Sequence, residues 1–224
     1  AACAGASVVI GSLELTGLAG KFTGLLSTIT GDSFFLTLLV AAFITILFGM
    51  GMPVASVYIL VAALVAPSLL AFDISPLEAH LFLIYYASMS AITPPVAVAA
   101  FAAGAIAEAN PMKIAVQAVR LGIVAFVIPF MFVYQPALLL QGEWGEMILG
   151  MVTAAVGTFI LAVAVEGWFK RPLTFWEKGL GVLAGLLTLY PSMVTDIVGI
   201  AIAVFMFLRI RFSHVVKMDE SLTG

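Results

Sequence analysis

Apolar positions in this chain do not alternate with polar ones. They run together in long blocks, at residues 1–18, 33–71, 79–107, 121–140, 147–168, 179–191 and 197–208. Crossing a bilayer as a helix takes about 20 apolar residues, whereas barrel strands read as short alternating segments. The pattern therefore predicts an all-α membrane protein. Residues 19–31 are mixed and rich in Ser, Thr and Gly, which suits an interfacial connector better than a span.

Two blocks are interrupted. Gly49-Met50-Gly51-Met52-Pro53 divides 33–71 into arms at 33–49 and 53–71, and Thr93-Pro94-Pro95 divides 79–107 into arms at 79–91 and 96–107. Hydrocarbon offers no hydrogen bonds, so broken helices at membrane depth persist only inside protein or beside a polar cavity. A pair of such breaks is a pointer to the binding site of a secondary transporter.

Composition supports the membrane assignment. The chain is 63% hydrophobic and 9% charged, with a mean hydropathy of +1.22; soluble domains carry about 25% charged residues. The net charge of -3 is too small to argue for nucleic acid or an acidic lipid surface, and no nucleic-acid partner is expected. Cys3 is the single cysteine, and His80 and His214 are far apart, so no disulfide framework or Cys/His metal cluster is expected. The apolar start lacks a basic segment and a cleavage site, so it does not read as a signal peptide. It reads as the C-terminal part of a longer polypeptide.

Charge placement gives direction. Lys113 with Arg120, then Lys170, Arg171 and Lys178, then Arg209, Arg211 and Lys217 alternate with Asp73 and Glu78, Glu143 and Glu146, and Asp196. Cationic loops face the cytoplasm, which puts the C-terminal tail there and leaves only Lys21 on the wrong side. Trp144, Trp168 and Trp176 fall at interfaces, as an aromatic belt would. Asp32 and Asp73 then share the outer side. Residues 33–71 are expected to enter as a re-entrant hairpin turning at Gly49–Pro53, although two full spans satisfy the same parity. Residues 79–107 are expected to cross once with a broken middle.

The breaks carry the candidate chemistry. Pro94 and Pro95 have no N–H, which predicts unpaired carbonyls at Ser90 and Ala91. The second arm begins with free N–H groups around Val96 to Val98. Carbonyls suit a cation such as Na⁺, and a helix N-terminus suits an anion. Thr93, Ser88 and Ser90 add hydroxyl oxygens. Pro53 likewise frees the carbonyl of Gly49, Gly49 and Gly51 permit close backbone approach, and Ser56 and Tyr58 follow. Pro67, Pro129, Pro136 and Pro191 read as ordinary kinks satisfied by neighbouring helices. Glu14, Glu166, Asp196 and His80 read as interfacial groups, with His80 solvated. No carboxylate lies at the centre of a crossing, which tilts the coupling ion toward Na⁺. The Ala/Gly stretches at 99–107, 154–157 and 179–185 read as close-packing helix surfaces. A channel would want a ring of polar or charged groups, and no repeated charged set exists. A structural subunit is the other alternative. No His, Asp or Ser constellation suggests an enzyme.

Gly49-Met50-Gly51-Met52-Pro53, Ile92-Thr93-Pro94-Pro95-Val96, Ala109-Asn110-Pro111-Met112 and Val133-Tyr134-Gln135-Pro136-Ala137-Leu138 together resemble the large membrane subunit of tripartite ATP-independent periplasmic (TRAP) transporters. The likeness is to the fused-permease branch that works with TAXI-type solute receptors. It covers residues 1–140, and 141–224 resemble that branch's variable C-terminal helices and tail. The resemblance implies a multi-pass inner-membrane protein with an elevator-type mechanism that imports a small organic anion, a carboxylate, with Na⁺ as coupling ion. It implies as partners a periplasmic solute-binding receptor, an upstream first repeat, and a small membrane subunit or fused equivalent. Residues 1–140 would form the second inverted repeat of the transport domain. Gly49, Gly51, Pro53, Thr93, Pro94, Pro95 and Val96 would then frame one Na⁺ site and one wall of the substrate site. Ser90 joins the cation set, and Ser56, Thr93 and Val96 the substrate set.

Overall fold

The computed structural model describes residues 2–31, 33–190 and 192–222, with side chains described outside 1–7, 9 and 211–224. Asp32 and Pro191, and the side chains of Cys3, Arg211, His214 and Lys217, lie outside the described residues. The chain is helical, apart from a two-residue antiparallel pair, β1 (Trp168–Phe169) and β2 (Arg171–Pro172). It forms two compact units, residues 1–133 and 134–224.

The first unit begins with α1 (Ala2–Leu15) and α2 (Leu18–Thr30), separated at Gly17, whose φ of 64° is left-handed. The segment expected to be an interfacial connector is too short to be a span and is formed by the helix α2. Its Ser and Thr residues explain how: Thr23, Ser27, Thr28 and Thr30 each donate to the carbonyl four residues back, so their hydroxyls do not compete with the helix for other partners.

Ser33 caps α3 (Phe34–Gly49) by accepting from the Leu36 N–H at 3.4 Å. α3 is apolar all round, as a helix surrounded by protein and lipid must be. It stops where Gly51 takes a φ of 89° and Pro53 follows. α4 (Val54–Leu64) and the short α5 (Ala66–Leu70) then carry the chain back. The Phe34 and Phe72 rings, at opposite ends of this segment in sequence, lie with centroids 5.0 Å apart. Entry and exit are therefore at one end, and residues 34–72 form a hairpin whose tip is the Gly-Met-Gly-Met-Pro turn.

A Ser75/Glu78 capping box with Pro76 at the first position starts α6 (Pro76–Met89). Both arms of the hairpin pack on α6, and Phe82, Leu83, Tyr86 and Ala87 of α6 are buried, as are Leu38, Ala41, Val57 and Val61 of the hairpin. α7 (Val98–Ala107) resumes after the second break, and Asn110 caps α8 (Pro111–Leu121) with bonds to the Met112 and Lys113 N–H groups. α8 meets α9 (Ile123–Tyr134) at a 43° bend. Residues 109–120, legible in sequence only as a charged loop, are mostly helix. Pro129 lies inside α9, and nearby the Tyr86 hydroxyl donates to the Phe126 carbonyl at 2.6 Å.

In the second unit a short 3₁₀ turn (Pro136–Leu139) precedes α10 (Trp144–Glu166), and the β1–β2 turn leads to α11 (Phe175–Leu189) and α12 (Met193–Leu222). α11 packs on both α10 and α12, which touch each other little. Glycine makes this approach possible: a Cβ on Gly181 would sit 2.7 Å from Ala164 Cβ, and one on Gly199 would be 2.8 Å from the Ala184 carbonyl. Arg171 makes a bidentate pair with Glu177, with Nη1–Oε2 3.0 Å and Nη2–Oε1 2.6 Å. Glu177 also accepts the Thr174 N–H in a capping box. Bonding to Arg171 pulls the carboxyl down to about 2 and raises the guanidinium further.

Among the described residues, α10 and the stretch Met193–Ile210 of α12 are long and apolar enough to cross a membrane, and α8 with α9 makes a third span if the bent pair counts as one. The chain is an all-α membrane protein.

Candidate functional site at the two helix breaks

Neither break is a continuous helix. Between α6 and α7 the chain passes through successive turns from Ser90 to Ala97, and the Pro94–Pro95 peptide is cis. Ala97 adopts a φ of 35° although it has a Cβ. That left-handed conformation costs roughly 1–2 kcal/mol for a non-glycine residue. Packing holds it: Ala97 is buried with Ala100 and Ala115, with Ile114 against them.

The carbonyls left open differ from the sequence expectation. Ser90 O accepts the Thr93 N–H at 3.2 Å and Ala91 O accepts the Ala99 N–H at 3.0 Å. The chain folds over the two prolines, so a later amide reaches back and replaces the missing donors. Among the described residues, the open oxygens lie further along, on Ile92, Pro94, Pro95 and Val96, and the open N–H groups on Val96 and Val98. Ala97 N–H is paired with Thr93 O at 3.2 Å. Thr93 Oγ1 donates to Met89 O at 2.7 Å and Ser90 Oγ to Ala87 O at 2.6 Å. Both hydroxyls have spent their proton, and both oxygens keep lone pairs.

At the hairpin tip, Gly49 O has only a long contact with Met52 N–H, 3.5 Å. The first two amides of α4, on Val54 and Ala55, have no backbone partner, and Ser56 is exposed beside them, its own N–H bonded to Pro53 O at 2.9 Å.

The two breaks meet. A Cβ built on Gly49 would overlap the Oγ and Cβ of Ser90, and one built on Gly51 would lie 3.8 Å from Val96 Cγ1. Gly49 and Ser90 are buried, Thr93 and Pro94 half-buried, and Gly51, Pro53, Pro95 and Val96 exposed. Glycine at 49 thus admits the Ser90 side chain, and the tip of one broken segment rests on the other. No hydrogen bond joins Ser56 to Thr93.

Sequence reasoning missed one neighbouring contact. His80, expected to be solvated, is half-buried and its Nδ1 lies 3.0 Å from the Tyr58 hydroxyl, tying α4 to α6. The residues are 22 apart in sequence, and only the hairpin's register brings them together. Glu14 and Glu166 are exposed.

Apolar helices of spanning length, with two broken segments in contact, define a multi-pass membrane protein. The family model described as "Tripartite ATP-independent periplasmic transporter, DctM component" matches residues 1–147, a range that contains both breaks. The chain belongs to that transporter family. It matches no curated protein and no solved structure.

Proposed function

We propose that the chain is part of a secondary active transporter that imports a small organic anion, a carboxylate, across the inner membrane. The single observation carrying this reading is the contact between the two breaks, Gly49 on Ser90 and Gly51 on Val96. The open carbonyls of Ile92 and Pro94 to Val96, with Thr93 Oγ1 and Ser90 Oγ, form a neutral oxygen set suited to Na⁺. Gly49, Gly51 and Pro53 shape the facing turn. The open amides of Val54 and Ala55 and the hydroxyl of Ser56, at the positive end of α4, suit the substrate carboxylate. Thr93 and Val96 provide the adjoining wall.

Family membership supports delivery by a periplasmic solute-binding receptor. In this reading residues 1–140 are the second repeat of the transport domain. An upstream first repeat completes the site, and a small membrane subunit or its fused equivalent supports it. The motif set favours the fused-permease branch served by TAXI-type receptors, and the cationic loops favour a cytoplasmic C-terminus. The test is uptake of radiolabelled carboxylate by the full permease and its receptor in proteoliposomes. Uptake should require an inward Na⁺ gradient. Equal uptake with K⁺ replacing Na⁺ would refute the coupling.

A further inference from the structure

α10 and α12 run in the same direction on either side of α11 and hardly touch, which leaves a groove along the second unit. Its upper part is a cavity of about 330 Å³, walled by Val156, Phe159 and Ile160 of α10 and Ala203, Val204 and Phe207 of α12. Below it a second cavity of about 350 Å³ shares Phe159 and Phe207 and ends at Phe169 and Lys170. The three phenylalanines form a continuous aromatic wall, with Phe169–Phe207 centroids 4.7 Å apart and Phe159–Phe207 6.4 Å apart.

We propose that this groove is a binding site for one anionic phospholipid, the acyl chain lying against Phe159 and Phe207 and the phosphate on Lys170. Three observations select that occupant. The depth fits: from Ala155 to the end of α10 at Glu166, a rise of about 1.5 Å per residue gives about 16 Å. That is half of the about 30 Å hydrocarbon core, the reach of one leaflet. The polarity fits: the upper cavity is apolar throughout, and among the described residues the lower one is lined by the cation Lys170. The charge is available: Arg171 is committed to Glu177, whereas Lys170, in the turn between β1 and β2 at a φ of 56°, is exposed and makes no ion pair among the described residues. Trp168, 59% exposed, stands two residues away, and exposed tryptophans of membrane proteins favour the interface. Basic pockets between membrane helices on the cationic side hold anionic headgroups in this manner.

The site lies wholly within the second unit, outside the matched residues 1–147, and does not depend on the proposed transport chemistry. It is tested by native mass spectrometry of the full chain, released from membranes containing phosphatidylglycerol and phosphatidylcholine. The wild type should retain phosphatidylglycerol preferentially. Lys170→Ala, a surface change that leaves the helices intact, should lower that preference about fivefold, the worth of one cation near a headgroup. Val204→Trp, at a half-exposed position on the groove wall, should displace both lipids. Equal retention of the two lipids by the wild type, an unchanged preference in Lys170→Ala, or a second copy of the chain occupying the groove would overturn the assignment.

Discussion

Gly49→Ala should be severe for a geometric reason. The added methyl would fall on the Oγ and Cβ of Ser90, and both positions are buried, so neither can swing into open space. Overpacking of this kind costs about 1–3 kcal/mol. For a chain of this size that is about 2–4 °C in Tm per kcal/mol, so a fall of several degrees is expected in detergent. Ser90→Ala should rescue little, because it keeps the Cβ that the new methyl meets. Ser90→Gly should rescue more, although glycine itself costs roughly 0.5–1 kcal/mol near a helix end. The assay is a double-mutant cycle over wild type, Gly49→Ala, Ser90→Gly and the pair, read by thermal unfolding. A coupling of at least about 1 kcal/mol is expected for two residues in direct contact. A coupling below about 0.5 kcal/mol, the level seen between distant sites, would mean that the two breaks do not touch, and the site would lose its geometry.

Other outcomes follow from the same contacts. Thr93→Ala removes one oxygen of the cation set and should raise the Na⁺ concentration for half-maximal uptake about tenfold, with Thr93→Ser recovering most of it; an unchanged Na⁺ dependence would remove Thr93 from the set. Tyr58→Phe should lower stability by about 0.5–1.5 kcal/mol by deleting the bond to His80, seen as a lower Tm that His80→Phe does not lower further when added. Glu177→Gln should cost about 1–3 kcal/mol at neutral pH, because it leaves Arg171 without its charged partner. Folding holds the Glu177 carboxyl at about 2, below its ordinary 4.5, so its stabilisation is complete above that ordinary value and is lost as pH falls toward about 2. The wild-type advantage over Glu177→Gln in Tm should shrink across that window and stay constant above it.

Much of the architecture was legible in the sequence because the bilayer enforces it. Uncharged runs bounded by Asp73 and Glu78 or by Lys170 and Arg171 have few alternatives to helix. The positions of both breaks were legible too, since Pro53, Pro94 and Pro95 cannot donate to a preceding turn. What the sequence could not supply was the partner each freed group finds. Ala91 O is satisfied by Ala99 N–H across the prolines, a bond set by how the chain folds back. Residues 19–31 read as an interfacial connector, and composition does not reveal that its hydroxyls bond to carbonyls four residues earlier in a helix. The Gly49–Ser90 contact pairs two residues 41 positions apart by number, and only the packing of the hairpin on α6 joins them.

The most direct test of the account is amide hydrogen exchange on the full permease in Na⁺ against K⁺ at equal ionic strength. Na⁺ should slow exchange at both breaks together, at residues 49–55 and 92–98, and leave α10 and α11 unchanged. Identical exchange profiles in the two salts, or protection confined to one break, would contradict the claim that the meeting of the two broken segments forms the cation site.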